Sequence, residues 1–186
     1  MLFHIEFVIN CEFKLIFVFI IYFQAIFMTD SIHFEHAATK SEKYQSLFPQ
    51  IAALLASETD QIANMANISA VLKEVFSFWW VGFYIVKQEE LILGPFQGPL
   101  ACTRIQKGKG VCGKVWATKQ SIIVPDVDAF EGHIACSAAS KSEIVIPLKH
   151  QEKVMAVLDV DSEHLNYFDE IDELYLSKIV ALISLA

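Results

Sequence analysis

Cys102, Cys112 and Cys136 sit among small residues, in "ACTRIQKGKGVCGK" and "GHIACSAASKSE". A thiol can ligate a metal, fill a core or exchange electrons. Zinc sites favour paired cysteines such as C-x-x-C; here the gaps are 10 and 24 residues, with only His133 near Cys136. A packed structural thiol behaves as a small hydrophobe. That suits Cys11 and Cys112 better than Cys136, whose loop is small and polar. On the cysteines alone, the metal, core and redox readings stay open.

The acids add to this. Asp159 and Asp161 are at i and i+2 in "VLDVDS", so a strand projects both from one face. Glu143 opens the run that would pair with that strand. Three acids on a shared face repel, and at least one must hold its proton to an unusually high pH. Acids in strands are most often simply solvated, but the apolar "VMAVLDVD" context half-buries these. Trp80 and Tyr84 in "WWVGFY" alternate onto one face of a further strand. Core packing explains either one; an aromatic pair with polar edges also makes a wall for a small apolar group. "GKGVCG" lacks the terminal Lys-Ser/Thr and the strand context of a phosphate-binding loop.

Elements must position these groups. Apolar residues at 44, 47, 48, 51, 54 and 55 recur at helical spacing, with a kink or restart expected at Pro49. Residues 60 to 76 read as a second helix, Asp60 at its start and Ile62, Met65, Ile68, Leu72 and Val75 on one face. "FSFWWVGFYIV", "LILGPF" and "LACTRI" read as strands. A glycine turn then leads into a short helix carrying Cys112. "SIIVPDV" is a buried strand, and residues 126 to 141 form a long loop of the kind that is usually functional. "SEIVIPLK" and "KVMAVLDVDS" form a hairpin. The last helix presents Phe168, Ile171, Leu174 and Ile179. Hairpin-length links predict an antiparallel sheet covered by helices, an α+β domain.

The chain has 186 residues and a net charge of −8. The length fits one domain. The charge argues against nucleic acid as a partner, because phosphate binding needs a basic surface. Four cysteines without the spacing of a secreted scaffold point to a reducing, cytoplasmic setting. Residues 1 to 28 are a separate matter. "LIFVFIIYFQAIFM" is shorter than the roughly 20 apolar residues of a membrane span and lacks the basic flank of a signal peptide. A translated extension upstream of a true start at Met28 is the expectation, with a membrane anchor or a core element as alternatives.

Taken together, "WVGFY", "GPFQGPLAC", "GKGVCG", "VPDVDAFEGHIACSAASKSEIVIPL" and "VLDVDS" resemble the GAF-domain free methionine-(R)-sulfoxide reductases. The likeness runs from about residue 37 to the C-terminal helix, which makes 37 to 186 the catalytic domain, and leaves out residues 1 to 28. It implies a GAF-like α+β fold, a central antiparallel sheet of about six strands flanked by helices. It further implies reduction of the R epimer of free methionine sulfoxide, with no bound cofactor or metal, thioredoxin as electron donor and a homodimer. By the resemblance, Cys136 is the nucleophile and Cys102 and Cys112 are resolving thiols. Glu143, Asp159 and Asp161 are then the active-site acids, and Trp80 and Tyr84 receive the substrate methyl. This chain departs from the family's pattern at Ser137, where an aspartate often follows the cysteine, and at Glu131, where the family has proline. Backbone N–H groups at Ile134, Ala135 and Ser137 are expected to hold the substrate carboxylate.

The chemistry agrees with that implication. A sulfinyl sulfur needs a soft nucleophile, and the sulfinyl oxygen needs a proton. The same acids oppose thiolate formation, so Cys136 must rely on loop N–H groups or on substrate binding. A GAF sensor of a small ligand or of redox state is the alternative function.

Overall fold

A computed structural model describes residues 32–35, 38–134 and 139–183. The expectations for residues 1 to 28 lie outside these.

Helix α1 (Lys40–Leu55) begins at a capping box, in which Thr39 accepts from the Glu42 N–H and Glu42 accepts from Thr39. Such reciprocal pairing satisfies donors that a helix start leaves open. The helix does not restart at Pro49: the proline lies inside one continuous helix. Tyr44 and Leu47 before it and Ile51 and Leu55 after it are buried on a single stripe, and that burial outweighs one lost N–H. Helix α2 (Gln61–Phe76) starts at Asp60, whose carboxylate accepts from the Ala63 N–H at 2.9 Å. It stops at Ser77, which takes a left-handed conformation. Phe76 therefore ends a helix rather than opening the first strand, and Ile62 is exposed rather than part of the buried face.

Strand β1 (Trp80–Lys87) turns into β2 (Glu90–Gln97) through Gln88 and Glu89, both at positive φ. Two left-handed residues match the twist of a tight hairpin. Strand β3 (Arg104–Gln106) keeps only Arg104 and Ile105 of the expected "LACTRI" strand. Helix α3 (Gly110–Thr118) follows, then β4 (Ile122–Val124) and a 3₁₀ turn at Val127–Ala129 within the predicted loop. β5 (Ser142–His150) and β6 (Lys153–Ser162) make the expected hairpin, and α4 (Glu170–Val180) follows.

The six strands form one antiparallel sheet in the order β3-β2-β1-β6-β5-β4. This is the α+β, GAF-like architecture expected from the sequence. Both faces are covered, as the continuous apolar runs of β5 and β6 require. Val145 and Val157 join Val111, Cys112 and Val115 of α3 in one cluster. Ile144, Ile146, Leu158 and Val160 alternate to the other face and are also buried, on the side that α1, α2 and α4 cover. The predicted face of α4 holds in part: Phe168 and Ile179 are buried, but Ile171 and Leu174 are exposed, and Leu176 and the charged Asp172 are buried in their stead. Asp172 accepts from Tyr44 Oη at 3.0 Å and from Lys40 Nζ. A buried acid is held by such partners, and here they tie α4 to α1. Among the described residues, no helix is long and apolar enough to cross a membrane.

Candidate active site

The pairing of three central strands assembles the site. Glu143 lies opposite Asp161, and Val145 opposite Asp159. On the other side of β6, Trp80 lies opposite Asp161, Gly82 opposite Asp159 and Tyr84 opposite Val157. Because side chains alternate along a strand, Glu143, Asp159, Asp161, Trp80 and Tyr84 all project from one face. Helix α3 packs over that face and brings Cys112 onto it. The result is a cavity of about 570 Å³, counting its open mouth, lined by all six of these residues together with Trp79, His133, Ile134 and Ser140.

The acids are held out of water. Glu143 is 5% exposed and Asp159 8%. Burial, and then the Asp159 and Asp161 charges, push the Glu143 carboxyl well above the usual carboxylate range. Burial and the neighbouring Asp161 do the same to Asp159, although hydrogen bonds from Cys112 and Glu143 oppose the rise. Burial raises Asp161 to about 6, tempered by the Ser140 hydroxyl, which donates to Oδ1 at 2.5 Å. The Cys112 thiol, buried and facing Asp159 and Glu143, is pushed well above its ordinary value. Protons are therefore shared among Glu143, Asp159 and Cys112, whose polar atoms all lie within 4.8 Å of one another. These three are close enough to surround a cation, and burial favours the protonated form of each. One oxygen, Asp159 Oδ1, is buried without a hydrogen-bond partner. His133 Nε2 lies 3.8 Å from Glu143 Oε2, and burial lowers the imidazole's affinity for a proton.

The aromatic wall depends on glycine. Trp80 stacks on Tyr84 with ring centroids 5.9 Å apart and on Phe96 at 5.4 Å, and its indole N–H donates to the Pro99 carbonyl at 3.1 Å. A Cβ at Gly82 would meet Phe96 Cβ at 2.3 Å and Trp80 Cη2 at 2.8 Å. Only glycine leaves room there for the rings to lie across the strand.

Cys136, with Ala135 and Ser137, lies outside the described residues. The chain on either side of them lines the cavity through His133, Ile134 and Ser140. Cys102 is disulfide-bonded, and Cys112 carries a free thiol. Two features escaped sequence reasoning. Cys112 belongs to the acid cluster because α3 docks on the sheet, a tertiary event with no local signature. Trp79 lines the cavity although it precedes β1; the doubled tryptophan was visible, its direction was not.

A GAF domain family profile matches residues 65–186. The chain is 60% identical to GAF domain-containing protein A of Dictyostelium discoideum, over 78% of this chain and 92% of that protein. It is 46% identical to the free methionine-R-sulfoxide reductase of Escherichia coli, over 76% of this chain and 87% of that enzyme. In structure it is similar to the free methionine-R-sulfoxide reductase of Neisseria meningitidis in complex with its substrate. There the TM-score is 0.80 and the identity 52%, covering 82% of this chain and 92% of that one.

Proposed function

The chain belongs to the GAF-domain family of free methionine-(R)-sulfoxide reductases, and from that premise we propose that it reduces the R epimer of free methionine sulfoxide through a sulfenic acid on Cys136. The observation that carries this reading is the trio Glu143, Asp159 and Asp161, the first two buried and the third half-buried, facing the stacked Trp80 and Tyr84 across one cavity. The rings accept the S-methyl group. The acids offer a proton to the sulfinyl oxygen and negative charge to the ammonium of a free amino acid.

The Cys136 thiolate attacks the sulfinyl sulfur as Glu143 protonates the sulfinyl oxygen. The S–O bond of the substrate breaks, and the oxygen ends on Cys136 as sulfenic acid. Methionine leaves, its sulfur reduced by two electrons and Cys136 oxidised by two. The Cys102 thiol then condenses with the sulfenic acid, forming a disulfide and releasing water. That Cys102 is disulfide-bonded supports its role as the resolving thiol. A thioredoxin dithiol returns the two electrons by exchange. Asp159 and Asp161 grip the ammonium, and backbone N–H groups at 134 to 137 bind the carboxylate. The enzyme works as a homodimer in a reducing cytoplasm and needs no bound cofactor.

The test is to supply purified protein with racemic free methionine sulfoxide and dithiothreitol or thioredoxin. Loss of the R epimer alone, with peptide-bound sulfoxide untouched, is the expected result. Loss of the S epimer, or of neither, would sink the reading.

A further inference from the structure

Three buried side-chain atoms among the described residues lack a hydrogen-bond partner: Asn64 Oδ1, Trp79 Nε1 and Asp159 Oδ1. Asn64 belongs to α2 and does not line the cavity; the other two residues do. One orphan is a donor and the other an acceptor. Buried polar groups are nearly always paired, so each such exception calls for a reason. Neither atom is open to solvent, so bulk water does not satisfy them in this Cys102-disulfide state. A ligand that completes both must bring an acceptor and a donor at once.

We infer that Trp79 is a substrate-binding residue, its indole N–H donating to the α-carboxylate of the amino acid whose ammonium rests on Asp159 Oδ1. The inference rests on the function proposed above. That substrate has two strong acceptors, the sulfinyl oxygen and the carboxylate, and position separates them. Along the chain Trp79 comes just before β1, followed on the strand by Trp80 opposite Asp161, Gly82 opposite Asp159, then Tyr84. The methyl group belongs to the Trp80–Tyr84 wall, and the sulfinyl oxygen to Glu143. Trp79 lies at the end of the row away from Tyr84, where the head of the amino acid falls. A carboxylate has two oxygens, so the indole engages one and leaves the other for a further donor. Phenylalanine in its place keeps a ring and loses the donor.

The experiment compares wild type and Trp79→Phe on two substrates, methionine sulfoxide and 3-(methylsulfinyl)propylamine, the analogue without a carboxylate. A hydrogen bond to a charged group is worth a factor of about 10 to 100. The KM for methionine sulfoxide should rise by about that factor, with kcat nearly unchanged. The KM for the amine should be the same in both proteins. An unchanged KM for methionine sulfoxide, or an equal rise for both substrates, would overturn the inference while leaving the proposed activity intact. Absence of wild-type turnover would overturn both. Should Trp79→Phe not fold, wild-type protein carrying isotope-labelled tryptophan gives the answer. The Trp79 indole N–H resonance should move on adding methionine and stay in place on adding 3-(methylthio)propylamine. Movement with both, or with neither, refutes the carboxylate contact.

Discussion

Glu143 on β5 lies directly across from Asp161 on β6, and both line the cavity beneath α3. Like charges directly opposed on a sheet destabilise it. The pair is tolerated because the fold retains protons that an unfolded chain would release.

That retention has a sign. Asp161 rises from an ordinary 3.8 to about 6 in the fold, so the folded state binds the extra proton between those values. Its contribution is fully present below pH 4 and is lost as pH rises to about 6, up to about 3 kcal/mol by linkage. The stability of wild type relative to Asp161→Asn should therefore fall across this window. Urea titrations at a series of pH values read it directly, and a difference that is flat or climbs with pH would contradict the assignment.

Glu143→Gln removes a positioned acid while keeping shape. Single-turnover formation of the Cys136 sulfenic acid should slow by about 10²–10⁴-fold, with little change in substrate affinity. In wild type the same step should weaken at high pH, as Glu143 finally loses its proton. Asp159→Asn and Asp161→Asn should instead raise KM and relax the demand for a free amino group. An unaltered chemical step in Glu143→Gln, with collapse only in an aspartate variant, would move the acid role to that aspartate.

Cys136→Ser should abolish turnover, retention of more than a small residue placing the nucleophile elsewhere. Cys102→Ser should complete one turnover and then stall with thioredoxin. Cys112→Ser should recycle, because its thiol is free and engaged with Asp159. Stalling in Cys112→Ser, with recycling in Cys102→Ser, would reverse the order of the two thiols.

Gly82→Ala forces a methyl group to within 2.3 Å of Phe96 Cβ. Overpacking of this kind costs about 1–3 kcal/mol. A chemical-denaturation midpoint should report that loss, and KM should rise as the Trp80 ring is displaced. A variant as stable as wild type would show that β1 and β2 can separate at this point.

Much of the molecule was legible before any coordinates. The i, i+2 spacing of Asp159 and Asp161 fixed their common face, and the position of Glu143 at the start of the partner strand placed it beside them. What escaped depends on contacts between distant segments. Asp172 is wholly buried because Lys40 and Tyr44, more than a hundred residues earlier, supply its partners. Its burial turned α4 so that Ile171 and Leu174 face outward. Pro49 broke a local rule and lost to the burial of residues on both sides of it. Gly82 looked like any strand glycine until Phe96 and Trp80 were set against it.

The strand order carries a consequence for biosynthesis. β6, which bears Asp159 and Asp161, inserts between β1 and β5 and meets β1 across the whole of the chain from residue 88 to residue 152. Long-range pairing of this kind forms late. On the ribosome, Cys102, Cys112 and Cys136 all emerge ahead of the two aspartates. For that interval the nascent thiols have no acid cluster above them, and the polypeptide passes through a stage that can be oxidised but cannot yet turn over substrate.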